Sequence, residues 1–362
     1  MIQKQEISTY QLLCLILLSR LLSLLTMISS ENTILQSTDC LLGTVGMGIF
    51  TLLLSIPFLF FLKLYPKQTL LDVTFTLANP ALKITGFLYI AFFFYEALVT
   101  ILTLRLFVGI ALVQNDESTW LIILCVFAAC YAASLGLEAI SRSSTITLGI
   151  FIFSFSLIIL VMANKVNFLN FSPILEHGLS PIVWFSLQGM GATSEIAMLF
   201  FLAPKAKGNT TKMFGIWFVL WILCTVFIFI FTFGGLGKFA LTQLFPVYSM
   251  AVLSDFSVFQ RFDVLLTGIW ILTAFLKISL LLYLNSTILN RLYPKNDNNV
   301  WIIVLGSILC LLVFLLRGKL KLYFMVAKMQ IQVFLILFFT CAFPLFVMLL
   351  EQFKRKRKVK IK

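Results

Sequence analysis

The chain contains a series of continuous apolar runs, each about as long as a helix that crosses a membrane. A transmembrane helix needs about 20 mostly apolar residues. Runs of this kind lie near residues 10–30, 41–62, 81–112, 119–135, 145–163, 181–203, 213–237, 262–289, 300–316 and 331–350. They do not alternate between apolar and polar residues, so membrane-barrel strands are excluded. The sequence therefore predicts an all-α membrane protein with about ten transmembrane helices.

The composition excludes several other classes of protein. Of 362 residues, 61% are hydrophobic and 11% are charged, whereas soluble domains are about 45–50% apolar and about 25% charged. A folded domain of this size buries only about three quarters of its surface, so this chain needs lipid around it. Soluble enzymes, disulfide-rich secreted domains and disordered proteins are excluded, and we expect no nucleic-acid partner.

Lysine and arginine predict the orientation. They concentrate in the segments that are cytoplasmic when the N-terminus is cytoplasmic, and the positive-inside rule then places both termini in the cytoplasm. The loop at 317–321 violates the rule, so either the rule bends there or the last two spans are wrong. We predict one polytopic domain at 1–353 and a basic cytoplasmic tail at 354–362 that contacts anionic lipid.

Ionisable side chains within the apolar runs mark the candidate site. Each costs at least about 2.5–3.5 kcal/mol at membrane depth, so it needs a partner or a water cavity. The buried candidates are Arg20, Glu96, Glu195 and Lys277, while Glu138 lies four residues before Arg142 and is predicted to form a local helical ion pair.

Lys277 lies too far from either end of its span for its stem to reach the interface. It must meet a carboxylate, a carbonyl or water, and Glu96 and Glu195 are carboxylates at comparable depth. Two interpretations stay open at this point. Lys277 belongs either to an ion pair that holds helices together or to a charge lining a substrate or ion path.

Glu195 follows a stretch that is unusual for a membrane span, residues 188–194, which read QGMGATS. Each glycine weakens a helix by about 1 kcal/mol, so the span is predicted to unwind there, which is tolerated only where the backbone faces protein or a cavity. Freed amides suit a carboxylate ligand and freed carbonyls suit a cation. Close helix packing by small residues is the alternative.

Four segments, in the right order, resemble the endospore germination permease family, the B subunits of bacterial spore germinant receptors within the amino acid–polyamine–organocation transporter superfamily. The resemblance covers nearly the whole chain. The segments are residues 135–142, 171–182, 191–204, and 259–263 with 269–272.

The resemblance implies a 5+5 inverted repeat, at about 8–163 and 181–350, with helices 1 and 6 discontinuous around a central site. It also implies a spore inner-membrane protein that acts with an A-type subunit and a lipoprotein C-type subunit. Relatives carry a glycine-rich turn and a proline in the first span, where this chain has Leu22, Leu24 and Ser29. With these replacements, either Arg20 takes over as the anion partner or the pocket is altered.

The leading hypothesis is a receptor subunit that binds a small germinant, such as an amino acid, without a cofactor or metal. An active amino acid/proton transporter is the alternative, and ion or water conduction is a third. We expect no enzymatic activity, because HExxH and G-x-S-x-G patterns are missing from the sequence. The predicted ligand-binding residues are Ser19, Arg20, Ser23, Glu96, Gly189, Gly191, Ala192, Glu195 and Lys277.

Overall fold

The computed structural model describes residues 6–25, 36–77, 79–112, 118–254, 262–317, 319 and 325–360, and these are almost entirely helical. The helices are α1 (Thr9–Leu25), α2 (Ser37–Leu64), α3 (Leu70–Leu77), α4 (Asn79–Ala111), α5 (Ser118–Leu135), α6 (Leu137–Met162), α7 (Ser180–Gly191), α8 (Glu195–Leu202), α9 (Thr210–Leu236), α10 (Phe239–Thr242), α11 (Pro246–Val252), α12 (Phe262–Leu292), α13 (Asn298–Leu315), α14 (Met329–Leu337) and α15 (Phe343–Lys360). A π-helical turn, Phe338–Ala342, joins α14 to α15, and two short strands, β1 (Ile7–Ser8) and β2 (Ala206–Lys207), pair in parallel.

The prediction of an α-helical multi-span membrane protein is confirmed. Within the described residues, nine stretches are long and apolar enough to cross a membrane, including Ser180–Lys205, which contains α7 and α8, and Met329–Arg355, which contains α14. Helix α1 occupies the predicted first span with 17 described residues, and the rest of that run lies outside the described part. The last two predicted spans are both present, and the predicted orientation of the termini stays a prediction.

Large apolar side chains on the outer faces of the helices are exposed. On α6, for example, Ile146, Phe153 and Leu160 are 68%, 66% and 69% exposed. Contiguous apolar surface of this kind is rare on soluble monomers. Lipid is the environment that covers these faces.

Several pairs of helices make close contacts in the bundle. Counted as spans, span 1 (α1) packs on spans 5 and 7 (α6 and α9), and span 6 (α7 and α8) packs on span 10 and span 2. Spans 3 and 8 (α4 and α12) pack together, as do spans 4 and 9 (α5 and α13) and spans 2 and 7. Some of these pairs, such as spans 1 and 5 and spans 6 and 10, are related by adding five to both span numbers. The 5+5 inverted repeat at 8–163 and 181–350 stays a prediction.

The sixth span is broken, but the first is continuous where it is described. Helix α7 ends at Gly191 and α8 begins at Glu195, so the break falls at residues 192–194, slightly later than predicted. Helix α1 runs without interruption from Thr9 to Leu25, and the discontinuity implied for helix 1 is not found there. The reason is local, because this stretch has no glycine and its leucines favour a helix.

One further expectation concerns the C-terminal tail. Helix α15 continues to Lys360, past the predicted start of the tail at residue 354, and the cytoplasmic location of the tail stays a prediction. Lys354 donates a 2.6 Å hydrogen bond to the Thr76 carbonyl oxygen of α3, which ties this helix to the bundle.

One of the four segments that resemble the family contains a turn. Gly136 forms this turn between α5 and α6 at φ 92°, a conformation that favours glycine. Residues 259–261 lie outside the described residues.

Candidate functional site

The break in span 6 positions Glu195 at the centre of a three-helix cluster. Glu195 is the first residue of α8 and is completely buried. Its Oε1 accepts a 2.7 Å hydrogen bond from the Ser19 hydroxyl of α1 and lies 3.3 Å from Lys277 Nζ of α12. A carboxylate is favoured at a helix N-terminus by the helix dipole. The predicted pairing of Lys277 with a buried carboxylate is therefore present, and it joins α1, α8 and α12.

Arg20 compensates the other end of the break. Its Nη2 donates a 2.8 Å hydrogen bond to the Gly189 carbonyl oxygen in the last turn of α7, and its guanidinium lies 4.5 Å from the centroid of the Trp221 ring. Cations are stabilising near a helix C-terminus, where carbonyl groups lack partners. The Ser23 hydroxyl contacts the Ala192 carbonyl oxygen at 3.5 Å. The basic Arg20 therefore lies at the negative C-terminal end of the α7 dipole, and the acidic Glu195 lies at the positive N-terminal end of the α8 dipole.

Glu96 is the second carboxylate at this depth. It lies on α4, is 9% exposed, and lines the same cavity as Arg20 and Lys277. Arg20, Lys277, Glu96 and Glu195 thus bring two basic and two acidic side chains into one region. Opposite charges placed together limit the large cost of holding charge away from water. In contrast, Glu138 and Arg142 form the predicted local ion pair at 2.5 Å, and both side chains are exposed rather than buried.

A cavity of about 330 Å³ lies against this cluster. Seven of the predicted site residues line it: Arg20, Ser23, Glu96, Gly189, Gly191, Ala192 and Lys277. The other two, Ser19 and Glu195, do not line the cavity but contact each other, and Glu195 also contacts Lys277. The structure therefore brings all the predicted residues into one region and separates those facing the cavity from those supporting them.

Other lining residues were not predicted as site residues from the sequence. They include Met47, Phe185, Gln188, Phe229, Trp270, Lys328 and Gln332. Gln188 stands in the glycine-containing stretch that the sequence already marks, and it could have been found there. The apolar residues among them are indistinguishable in sequence from lipid-facing or core residues, since only helix rotation decides which face they occupy.

Gly189 and Gly191 have a packing role. A Cβ at Gly189 would lie 1.9 Å from Met47 Cε, and one at Gly191 would lie 2.8 Å from Val333 Cγ2. Both glycines are still helical. The alternative interpretation, close packing by small residues, thus holds for these two positions, while the chain breaks immediately after them.

The cavity is confined to one half of the bundle. Strand β1 pairs with β2, and Lys207 Nζ lies 2.7 Å from Glu6 Oε2, so the start of α1 and the end of α8 meet at one side. The hydrogen bond to Glu6 raises the pKa of Lys207. No cavity-lining residue among those described belongs to α8, which is buried throughout. The cavity therefore lies in the half opposite the N-terminus, where exposed Lys328 stands at its wall.

A family model described as a spore germination protein matches residues 6–321. The chain belongs to this spore germination protein family. The match begins before α1 and ends after α13, and it contains every predicted site residue. No curated protein sequence matches the chain.

The family match and the apolar helices together show a membrane protein related to spore germination. Four residues that line the cavity, Ala327, Lys328, Met329 and Gln332, lie beyond the matched residues. The structure alone supports this part of the wall, at the start of the last span.

Proposed function

We propose that this spore germination protein is the B-type subunit of a nutrient germinant receptor and binds a small germinant in the central cavity. One observation carries the proposal: four ionisable groups converge beside a broken helix, and two of them, Glu96 and Lys277, line a cavity of about 330 Å³ together with Arg20. Intramembrane charges are expensive and commonly mark functional sites. A mostly apolar cavity with a few convergent polar groups is the usual form of a small-molecule site.

The position of the cavity supports sensing from outside the cell membrane. The N-terminal half of α1 is packed with fully buried apolar side chains such as Leu12, Leu15 and Ile16, and α8 is buried beside it. With the predicted cytoplasmic termini, a nutrient arriving at the spore inner membrane enters the cavity from the outer side. Binding there would alter the contacts around the break, which the A-type subunit and the lipoprotein C-type subunit would then detect.

A cavity-filling substitution tests this function. Ala274 is 1% exposed and lines the cavity, so Ala274→Phe should occupy the ligand's space. Ala128 is exposed on the lipid side of α5, and Ala128→Phe is the matched control. In spores carrying each variant at the chromosomal locus, we expect A274F to slow nutrient-triggered loss of optical density, with normal protein abundance by immunoblot, and A128F to respond like wild type. A normal response of A274F spores would contradict the proposal.

An active amino acid/proton transporter is the second candidate, and Glu96 favours it because a carboxylate at the cavity wall can carry a proton. The two functions differ in flux. Purified protein in lipid vesicles should bind germinant without accumulating labelled amino acids if it only senses. Uptake that depends on a pH gradient and is lost in Glu96→Gln would establish transport instead.

A further inference from the structure

The last helix carries a high density of positive charge at its C-terminal end. Helix α15 contains one acidic residue, Glu351, and six basic ones: Lys354, Arg355, Lys356, Arg357, Lys358 and Lys360. Like charges four residues apart destabilise a helix, and Lys356 with Lys360 is such a pair. The helix dipole favours cations within the last turn, but this basic run covers about two turns. The end of α15 therefore gains stability from anions placed beside it.

Two of these cations are held by the bundle and fix the rotation of the helix. Lys354 donates a 2.6 Å hydrogen bond to the Thr76 carbonyl oxygen. Arg355 forms an ion pair with Glu351, and its guanidinium carbon lies 5.4 Å from the centroid of the Tyr65 ring. The Tyr65 hydroxyl donates a 2.5 Å hydrogen bond to Glu351 Oε2. The single carboxylate of α15 is thus occupied on the side of the helix that faces the bundle.

The face of α15 opposite Arg355 is apolar and exposed. Phe346, Leu350 and Phe353 recur at helical spacing and are 57%, 42% and 63% exposed. Residues three and four apart share one face of a helix, so the next positions on this face are 357 and 360, which are arginine and lysine. One stripe of α15 therefore changes from apolar to basic after Phe353.

This change falls near the depth of the lipid headgroups. The apolar run at 331–350 spans about 30 Å at about 1.5 Å per residue, which is the thickness of the hydrocarbon core. Position 357 lies about 10 Å further along the helix, and the headgroup layer adds about 5–8 Å on each side of the core. Long basic side chains bridge a few ångströms along the membrane normal. Lipid phosphates are therefore within reach of the basic end of the stripe.

We propose that this stripe binds an anionic phospholipid, with an acyl chain along Phe346, Leu350 and Phe353 and the phosphate at the basic positions 357 and 360. Charge selects the headgroup, because a zwitterionic headgroup carries its own cation, whereas an anionic one compensates the excess positive charge of α15. Among the described residues, none that lines the central cavity belongs to α15. The lipid site is therefore separate from the cavity and independent of the function proposed for it.

Two lipids with the same acyl chains test the assignment. The full-length protein in neutral detergent is titrated with phosphatidylglycerol, which is anionic, or with phosphatidylcholine, which is zwitterionic, and bound lipid is counted by native mass spectrometry. Each cation near an anionic headgroup strengthens binding about fivefold, so two cations should give phosphatidylglycerol a preference of at least about tenfold. Equal binding of the two lipids overturns the proposal and leaves this face to an acidic protein partner.

Two double variants of equal net charge separate a built site from bulk attraction. Arg357→Gln with Lys360→Gln changes the stripe, and Lys356→Gln with Lys358→Gln changes positions to either side of it on the same helix. We expect the first variant to bring the two lipids within about twofold of each other and the second to keep a preference of at least about fivefold. Equal losses in both variants refute the assignment to one face.

A charge-conserving variant and a free anion complete the test. Arg357→Lys with Lys360→Arg should keep the preference, and circular dichroism should show unchanged helix content in every variant. Inorganic phosphate in about tenfold excess should not displace phosphatidylglycerol, because it has no acyl chain to bury against Phe346 and Leu350. Displacement by phosphate would overturn the lipid assignment in favour of a simple anion site.

Discussion

The Glu195–Lys277 pair allows a quantitative test of how the bundle is stabilised. At 3.3 Å and full burial, the attraction is about 5 kcal/mol with an effective dielectric constant of about 20, and removing one partner of a buried pair costs about 3–5 kcal/mol. We expect Lys277→Met to destabilise the protein by about that amount, because it leaves the buried Glu195 without its ion-pair partner.

Glu195→Gln should cost less, about 1–3 kcal/mol. Ser19 can still donate to the amide oxygen, and Lys277 can turn towards Glu96. The double variant Glu195→Gln, Lys277→Met should be less destabilised than the sum of the two single variants, because it removes both charges at once.

The assay is equilibrium unfolding in mixed micelles at increasing sodium dodecyl sulfate concentration, followed by circular dichroism. Lys83→Met, at an exposed lysine, controls for the loss of a positive charge. The reasoning is refuted if Lys277→Met lies within about 1 kcal/mol of wild type, or if the two single effects simply add.

Three further predictions use the same unfolding assay or a titration. Arg20→Met should destabilise the protein by about 1–3 kcal/mol, because the carbonyl end of α7 loses its donor; no loss would show that this contact is dispensable. Gly46→Ala should cost about 1–3 kcal/mol, since the new Cβ would lie 2.2 Å from Ser186 Oγ, and Gly149→Ala, where the space is open, should not. Burial and then the hydrogen bond to Glu351 raise the pKa of Tyr65 to about 12. The stability that comes from this raised pKa is therefore present below pH about 10 and is lost as the pH rises towards 12. In an absorbance titration at high pH, the signal of this phenol should be absent in Tyr65→Phe and should titrate at a lower pH in Glu351→Gln.

The sequence predicted the parts of the site that follow from the free-energy cost of burying a charge in a membrane span. Arg20, Glu96, Glu195 and Lys277 could be identified because a charge within an apolar run is expensive wherever the helices happen to lie. The break in span 6 was also predicted, to within a few residues, from the glycines and hydroxyls before Glu195. A continuous α1 between Thr9 and Leu25 agrees with its lack of glycine, and the rest of the predicted first span lies outside the described residues.

Which charge meets which partner was not predictable. Lys277 had two carboxylates at comparable depth, and only the rotation and packing of α4, α8 and α12 decide that Glu195 makes the contact while Glu96 faces the cavity. Arg20 was expected either to bind an anion or to mark an altered pocket, and in the structure it donates a hydrogen bond to the Gly189 carbonyl oxygen. The sequence carries no signal for such a contact, because it depends on where two distant helices cross.

The amino-acid sequence by itself determined the solvent, the helical class and the set of groups that must find partners, since hydrophobicity and the cost of buried charge are properties of each residue. The tertiary structure alone decided the pairing of those groups, the half of the bundle that holds the cavity, and the apolar side chains of its wall. These depend on contacts between residues far apart in the chain, and many packings satisfy the same apolar composition.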